Sequence, residues 1–400
     1  MDKNTWVGFL LIAAIIVGFT MLSRPSKEEL AARQRQNDSI AAVRLMEQEA
    51  QRLIVEELSS LEEDDASCLP EEKQEKELII QYGPLAPAAQ GESQLTLMEN
   101  EHIRLWVDSK GGRIARVELK EYKAYGDSVN DLCLFRGEEA SLSFTLNTNN
   151  QRIITTQNLY FEPIQTSDSV LIMRMKTSVE DSYLDFVYTL CRNDYMVSFV
   201  IKPHNMQSVL AQNINSLDLE WTQLIPQQER GRKFEERYAQ LQYMLVGGEM
   251  ERLSESKHAS KKEAAKVRWI GYKDQFFSTV FIADEAFTSS VFESTPQNAH
   301  SKYIKEYKTH ACIDFDLTSS KHTHFRFYFG PNRYNTLKAY DKNVENGEQL
   351  HLKELVPLGW KIVSWINMIL VIPMFDLFTS WGLHIGLVIL LMTLVIKLII

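Results

Sequence analysis

Leu184-Asp-Phe-Val-Tyr-Thr-Leu190 and Thr323-His-Phe-Arg-Phe-Tyr-Phe329 carry large apolar side chains two residues apart, at 184, 186, 188 and 190 and at 325, 327 and 329. Successive side chains of a strand point to opposite faces, so this spacing lines one face of a sheet with apolar groups. The same texture recurs in Ile103-Leu105-Val107, Leu142-Phe144-Leu146 and Val170-Ile172, with turn residues close by. Many short alternating runs between about residues 93 and 335 predict a mainly β fold, an antiparallel β-sandwich with one face of each sheet buried. The passage from Glu229 to Lys266 is highly charged and poor in strand signals. It reads as an exposed excursion with a short helix at Lys261 to Lys266.

Outward from this centre the texture changes in both directions. Toward the N-terminus, Gly83-Pro84-Leu85-Ala86-Pro87 through Gly91 reads as a linker. Before it lies a tether rich in Glu, Gln, Ala and Arg that ends in Glu62-Glu63-Asp64-Asp65. Its apolar residues fall at loose helical spacing, without the a/d heptads of a coiled coil, so residues 24–92 read as a solvated helical or disordered tether. Trp6 to Leu22 is an uncharged run of about 17 residues, at the short limit for crossing a bilayer core. Residues 1–23 thus fit a signal-anchor transmembrane helix. The alternative is a cleaved signal peptide, although no A-x-A-like site follows. Lysine and arginine counts beside the run do not orient it. Moving a large domain across the membrane calls for a leading anchor, which puts the N-terminus in the cytoplasm.

Toward the C-terminus, residues 336–378 read as a short helix followed by an apolar one. The second carries Trp360 and Trp365 with a thin polar side of Lys361, Ser364 and Asn367. Tryptophans and few charges next to a span suit a helix lying in the membrane interface. A span of its own over 362–378 is the other reading, opposed by Pro373 and Asp376. Residues 379–400 then form a transmembrane helix with one charge, Lys397, and the chain reads as the front portion of a longer membrane protein. A charge in a span is expensive and faces a polar cavity or snorkels to the interface, and both readings of Lys397 stay open.

Composition excludes several classes. Forty-four per cent hydrophobic and 24% charged residues in a 400-residue chain describe ordinary globular material, and a net charge of −10 opposes nucleic-acid binding. Cys68, Cys133, Cys191 and Cys312 form no C-x-x-C pair, so no zinc site is suggested, and most are expected free and buried. His322-x-His324 lacks an acidic or thiol partner nearby and reads as strand surface. Gly111-Gly112 lacks the phosphate-loop patterns and reads as a hairpin turn. With no catalytic motif and no cofactor signature, no enzymatic activity is expected.

Five stretches together resemble one family. They are the opening MDKNTWVGFLLIAAIIVGF; Lys110-Gly-Gly-Arg-Ile with Val117-Glu-Leu-Lys and Tyr122; Trp269-Ile-Gly-Tyr-Lys-Asp-Gln-Phe-Phe-Ser; Phe327-Tyr-Phe-Gly-Pro-Asn-Arg-Tyr with Leu337; and Leu358-Gly-Trp through to Trp381-Gly. In this order they resemble the YidC-type membrane protein insertases of Gram-negative bacteria, and the opening is most similar to members from the Bacteroidetes. The resemblance implies a periplasmic β-super-sandwich akin to sugar-binding mutarotase-like folds, then an interfacial helix leading into a five-span core in the bacterial inner membrane. A groove cation, usually Arg, projects from the first core span, and the family pattern of Thr and a basic residue four positions later falls on Thr393 and Lys397. Lysine keeps the charge but loses the planar fork of arginine. The partners implied are nascent membrane proteins, the Sec translocon, membrane lipids and, through parts beyond residue 400, the ribosome. A membrane-anchored carbohydrate-binding or epimerase-like protein and a structural, chaperone-docking module are the competing readings.

Overall fold

The computed structural model describes residue 45 and residues 48–57, 70–124, 126, 129–212, 215–255, 257–318, 322–342, 344–345 and 347–399. The expected N-terminal anchor, the acidic run at 62–65 and Cys68 lie outside these residues. The chain divides into two compact units, Met1–Gly330 and Pro331–Ile400.

The first unit is mainly antiparallel β. A four-stranded sheet runs in sequence order through β1 (Leu95–Glu99), β2 (Ile103–Asp108), β3 (Ile114–Lys123) and β4 (Asp131–Arg136). A 14-stranded sheet holds β5 (Ala140–Asn147), β6 (Ile153–Thr155), β7 (Glu162–Ser167), β8 (Val170–Lys176), β9 (Tyr183–Leu190), β10 (Met196–His204), β11 (Ser216–Pro226), β12 (Gln240–Leu245), β13 (Met250–Arg252), β14 (Ala259–Glu263), β15 (Val267–Lys273), β16 (Phe277–Pro296), β17 (Tyr303–Asp314) and β18 (Thr323–Pro331). Its main path runs β6-β5-β11-β17-β16-β18-β10-β9-β8-β7.

Ring contacts show that this sheet curls on itself. Phe144 of β5 lies near one end of the path and Phe186 of β9 near the other, yet their ring centroids are 5.7 Å apart. Phe199 and Phe325 complete the cluster, each 6.1 Å from Phe144, and Phe281 stacks on Phe327 at 4.4 Å. Leu184, Phe186, Tyr188 and Leu190 are all buried, as are Phe325, Phe327 and Phe329. The alternation that predicted a sandwich therefore builds its core.

The 20-residue strand β16 serves two parts of the sheet. Its first half pairs with β15, from Lys273↔Ser278 to Val267↔Phe287, and its second half pairs with β17 and β14. The change falls at Ser289, whose backbone is left-handed at φ 50°, beside a register shift between Thr288 and Val291. A bulge of this kind bends a strand and lets it pass from one set of neighbours to another.

Gly111 and Gly112 form the turn between β2 and β3 at φ +81° and +60°, values that glycine adopts without strain. A Cβ on Gly112 would lie 2.9 Å from the Phe161 ring and 3.0 Å from Phe186, and its carbonyl accepts the Tyr188 hydroxyl at 2.7 Å. The turn thus fastens the small sheet to the core of the large one.

Glu229 to Lys266 is not the strand-poor excursion that its charge implied. It contains an α-helix, Arg232–Tyr238, and strands β12, β13 and β14, and residues 259–263 form a strand where a helix was expected. Pairing outweighed composition. Lys261 and Glu263 alternate with Ser260 and Lys262 along an edge bonded to β16, while Leu241 and Tyr243 of β12 point into the core. Before the sandwich, α1 (Pro70–Tyr82) runs into a 3₁₀ segment, Gly83–Ala88, whose Leu85 and Ala88 are buried. Arg152 ties the α1 segment to the sheet, donating to the Ile80 carbonyl at 2.7 Å and pairing with Glu57. The Arg232–Tyr238 helix is α2.

In the second unit, α3 (Tyr334–Ala339) precedes a 3₁₀ turn, Leu352–Leu355. Asp341 closes the loop between them, accepting amides of Leu350 at 2.6 Å and His351 at 3.0 Å. Residues 361–380 form one continuous helix, made of α4 (Lys361–Ile366), a π-turn (Asn367–Val371) and α5 (Ile372–Ser380). Pro373 accounts for the π-turn. It has no N–H to donate, and its ring would press on the Ile369 carbonyl in an α-turn. The helix widens just before it, with the Ile372 amide bonding to Asn367. A turn at Trp381–His384 leads to α6 (Ile385–Ile399).

Candidate membrane-facing site

The helix of residues 361–380 and α6 pack as a hairpin. Met374, Phe378 and Val388 are its buried centre, and Leu383, Leu391, Met392, Val395 and Ile396 surround them. Apolar side chains also cover the outside. Trp360 is 74% exposed, Trp365 59% and Trp381 60%, with Ile369, Leu377, Ile389, Leu390 and Leu394 exposed among them. Soluble proteins rarely expose an apolar surface this continuous, and tryptophans at such a surface match the membrane interface.

Val363–Ser380 has 18 residues with a mean hydropathy of 1.5, and among the described residues it is the one helix long and apolar enough to cross a bilayer. Ile385–Leu398 is apolar but shorter. By length alone the 361–380 helix, which the sequence assigned to the interface, is the better candidate for a span.

Thr393 and Lys397 share a face of α6 and both are exposed. At about 100° per residue, Lys397 stands half a turn round from Val388, nine residues earlier, and so faces away from the hairpin contact. Thr393 lies on the same outer side. Its hydroxyl donates to the Ile389 carbonyl at 2.7 Å, so it is satisfied within its own helix.

The sandwich holds a second constellation that the sequence did not disclose. Glu235 of α2 is fully buried, and beside it are Asp274, Lys273 and Lys305, all nearly inaccessible. The lysines clasp the C-terminal end of α2. Lys273 Nζ donates to the Tyr238 carbonyl at 2.8 Å, and Lys305 Nζ to those of Ala239 at 2.5 Å and Glu255 at 2.8 Å. Cations suit that end of a helix, where carbonyls lack amide partners. On the other side, Glu235 accepts the amides of Gln228 at 2.7 Å and Glu229 at 3.3 Å. Burial raises the Glu235 carboxyl above its ordinary range, burial and the neighbouring Glu235 raise Asp274, and burial lowers Lys273 and Lys305 to about 8 each. The only sequence signal was Lys273-Asp274 at the end of a mostly apolar strand. The distant partners Glu235 and Lys305 give none.

The remaining expectations sort simply. The rings of His322 and His324 lie 6.5 Å apart, and no group of three metal-binding side chains occurs among the described residues. Cys133 is buried and free, Cys312 half-buried and free, and Cys191 free but exposed, against the expectation of burial.

The fold and hairpin define a class: a curled antiparallel β-sandwich followed by an apolar helical pair with an outward cation. Within that class, residues 96–373 match the family model described as YidC periplasmic domain, and the chain belongs to that family. It is 42% identical over 403 residues to the membrane protein insertase YidC of Parabacteroides distasonis and 35% over 401 residues to that of Porphyromonas gingivalis (strain ATCC 33277). In both cases all of this chain and 62% of the relative are covered, so the chain spans less than two thirds of their length. Among solved structures, the periplasmic domain of the Thermotoga maritima YidC aligns at 11% identity with a TM-score of 0.33, covering 66% of this chain and 94% of that one.

Proposed function

We propose that this chain is the N-terminal portion of a membrane protein insertase of the bacterial inner membrane, with the sandwich in the periplasm and Lys397 as the cation of its substrate groove. The observation that carries the reading is the outward face of α6, where Thr393 and Lys397 turn from the packed hairpin. A desolvated cation there attracts acidic residues of a hydrophilic segment and lowers the cost of carrying it across, while the apolar segment that follows partitions into lipid. Nascent membrane proteins and lipids are the partners this requires. The Sec translocon and the ribosome are further partners of the same reading.

The 361–380 helix lies along the membrane surface in this proposal, with Trp360 and Trp365 as its interfacial anchors. Its tethers support that orientation. Tyr334 and Asn335, at the start of α3, bond to Met368 and Asp376 respectively. Those helix positions are roughly 12 Å apart along the axis. Lys338 and Asp341 follow in the same segment, and a helix spanning the bilayer would carry these charges into the hydrocarbon.

The test uses the protein at the full length of its relatives. Lys397→Ala is expected to impair insertion of single-span substrates in a reconstituted assay, and Lys397→Arg to preserve it. Unchanged insertion by the alanine variant would remove Lys397 from the mechanism.

A further inference from the structure

The apolar content of Val363–Ser380 does not decide its orientation. Eighteen residues rise roughly 27 Å as a helix, close to the hydrocarbon thickness of about 30 Å. The same segment could lie flat or cross, so something besides hydrophobicity must select between the two. The second unit has such a device. Asp376 is the one carboxylate between Lys361 and Ile400, and it accepts a hydrogen bond from the Asn335 amide. Tyr334, the neighbour of Asn335, places its hydroxyl 3.1 Å from the Met368 sulfur, about two turns back along the helix. A third bond joins Asn367 Nδ2 to the Leu358 carbonyl at 3.0 Å, at the π-turn.

We infer that Asn335 is a positioning residue that keeps the 361–380 helix parallel to the membrane surface by holding Asp376, with Tyr334 on Met368 as a second point of attachment. Two points fix a direction where one would leave a pivot. The helix stays beside the charged segment that includes Lys338 and Asp341, and cannot tilt into the bilayer while both tethers hold. In bulk water an exposed amide–carboxylate bond is weak. At a lipid surface, where competing water is scarce and the local dielectric low, the same bond is stronger. The π-turn contributes by offsetting the register between positions 368 and 376, so that Asp376 is aimed by the widening ahead of Pro373. This inference rests on the interfacial reading of the helix, and the experiment separates the two.

The full chain, with its four native cysteines replaced, carries a nitroxide at Trp365→Cys or at Leu377→Cys and is reconstituted into phosphatidylcholine–phosphatidylglycerol vesicles. Depth is read from the ratio of oxygen to nickel-chelate accessibility, after circular dichroism has verified the fold of each variant. With Asn335 present the two labels are expected at similar depth. Asn335→Ala should separate them, and Asn335→Asp, which sets two carboxylates together, should separate them further. Asp376→Asn keeps a hydrogen-bonding partner for Asn335 and should leave the depths equal. If the labels differ with Asn335 intact by the roughly 18 Å that 12 residues rise, the helix spans the bilayer and the interfacial reading fails. If they are level with Asn335 intact and stay level in Asn335→Ala, Asn335→Asp and the Tyr334→Phe, Asn335→Ala double variant, the helix is interfacial and the positioning role of Asn335 is overturned.

Discussion

The two units invert each other. In the sandwich, Lys273, Lys305, Glu235 and Asp274 are inside, each clasped by carbonyls, amides or another carboxyl. In the C-terminal unit, the apolar side chains of Trp360, Trp365, Trp381 and Ile369 are exposed. Both arrangements are costly in water, but for different reasons. A buried charge must find replacements for its hydration, and the first unit supplies them internally. An exposed apolar surface must find a medium that is not water, and the second unit can get this only from outside itself. The first unit satisfies its buried charges internally, whereas the second leaves apolar surface that is costly in water.

Removing a core ring from the first unit should give the largest effect. Phe281 lies within 5.8 Å of Trp221, Phe287, Phe325 and Phe327 by ring centroid. Phe281→Ala should cost about 4 kcal/mol of sandwich stability, read from denaturant unfolding followed by tryptophan fluorescence. Lys305→Ala comes next, at about 3 kcal/mol, because the buried carbonyl of Ala239 and the half-buried one of Glu255 lose their charged donor. Limited proteolysis should then cut first between residues 229 and 255. If Lys305→Ala is silent, the buried charges are bystanders and the contrast between the units weakens. Trp365→Ala should leave sandwich unfolding unchanged while lowering partition onto lipid vesicles about tenfold, or about 1.4 kcal/mol. A fall in sandwich stability instead would mean that Trp365 belongs to a protein core.

The same inversion explains what the sequence disclosed. Period-two runs such as 184–190 and 325–329 announce a buried face locally, so the sandwich was legible. The exposed tryptophans were legible too, since a continuous apolar stretch needs no partner to be recognised. Glu229 to Lys266 was misread because its strands are held by pairing with β15 and β16, and by long-range clasps from Lys273 and Lys305 that composition does not reveal. The outward direction of Lys397 needed the identity of the inward residues, Val388 and Leu391, which only the hairpin supplies. Likewise the Asn335–Asp376 tether joins residues 41 apart, with no pattern linking them.

The smallest effect at a single pH, about 1 kcal/mol near neutrality, is expected from Asp274→Asn, and its diagnostic feature is a slope. Burial and the neighbouring Glu235 raise the Asp274 carboxyl above its ordinary 3.8, and burial raises Glu235 above 4.5. A carboxyl that holds its proton more tightly in the fold contributes stability in full below those ordinary values and loses it as pH rises through the folded-state value. The lysines run the other way. Amines lowered from 10.5 to about 8 contribute fully above 10.5 and lose that contribution as pH falls through 8. The groups facing this cluster are Glu229 and Glu236 from α2 and its approach, Glu255 from the loop after β13, and Tyr307 from β17. Melting temperature in the wild-type chain should therefore decline from about pH 4 until the acid pair has ionised, and recover between pH 8 and 10.5. Asp274→Asn removes one acid and the repulsion between the two, so the decline should flatten while the alkaline recovery persists. Equal slopes in the two proteins would mean that Glu235 and Asp274 do not share a proton, and that the polar interior of the sandwich is held by its lysine clasps alone.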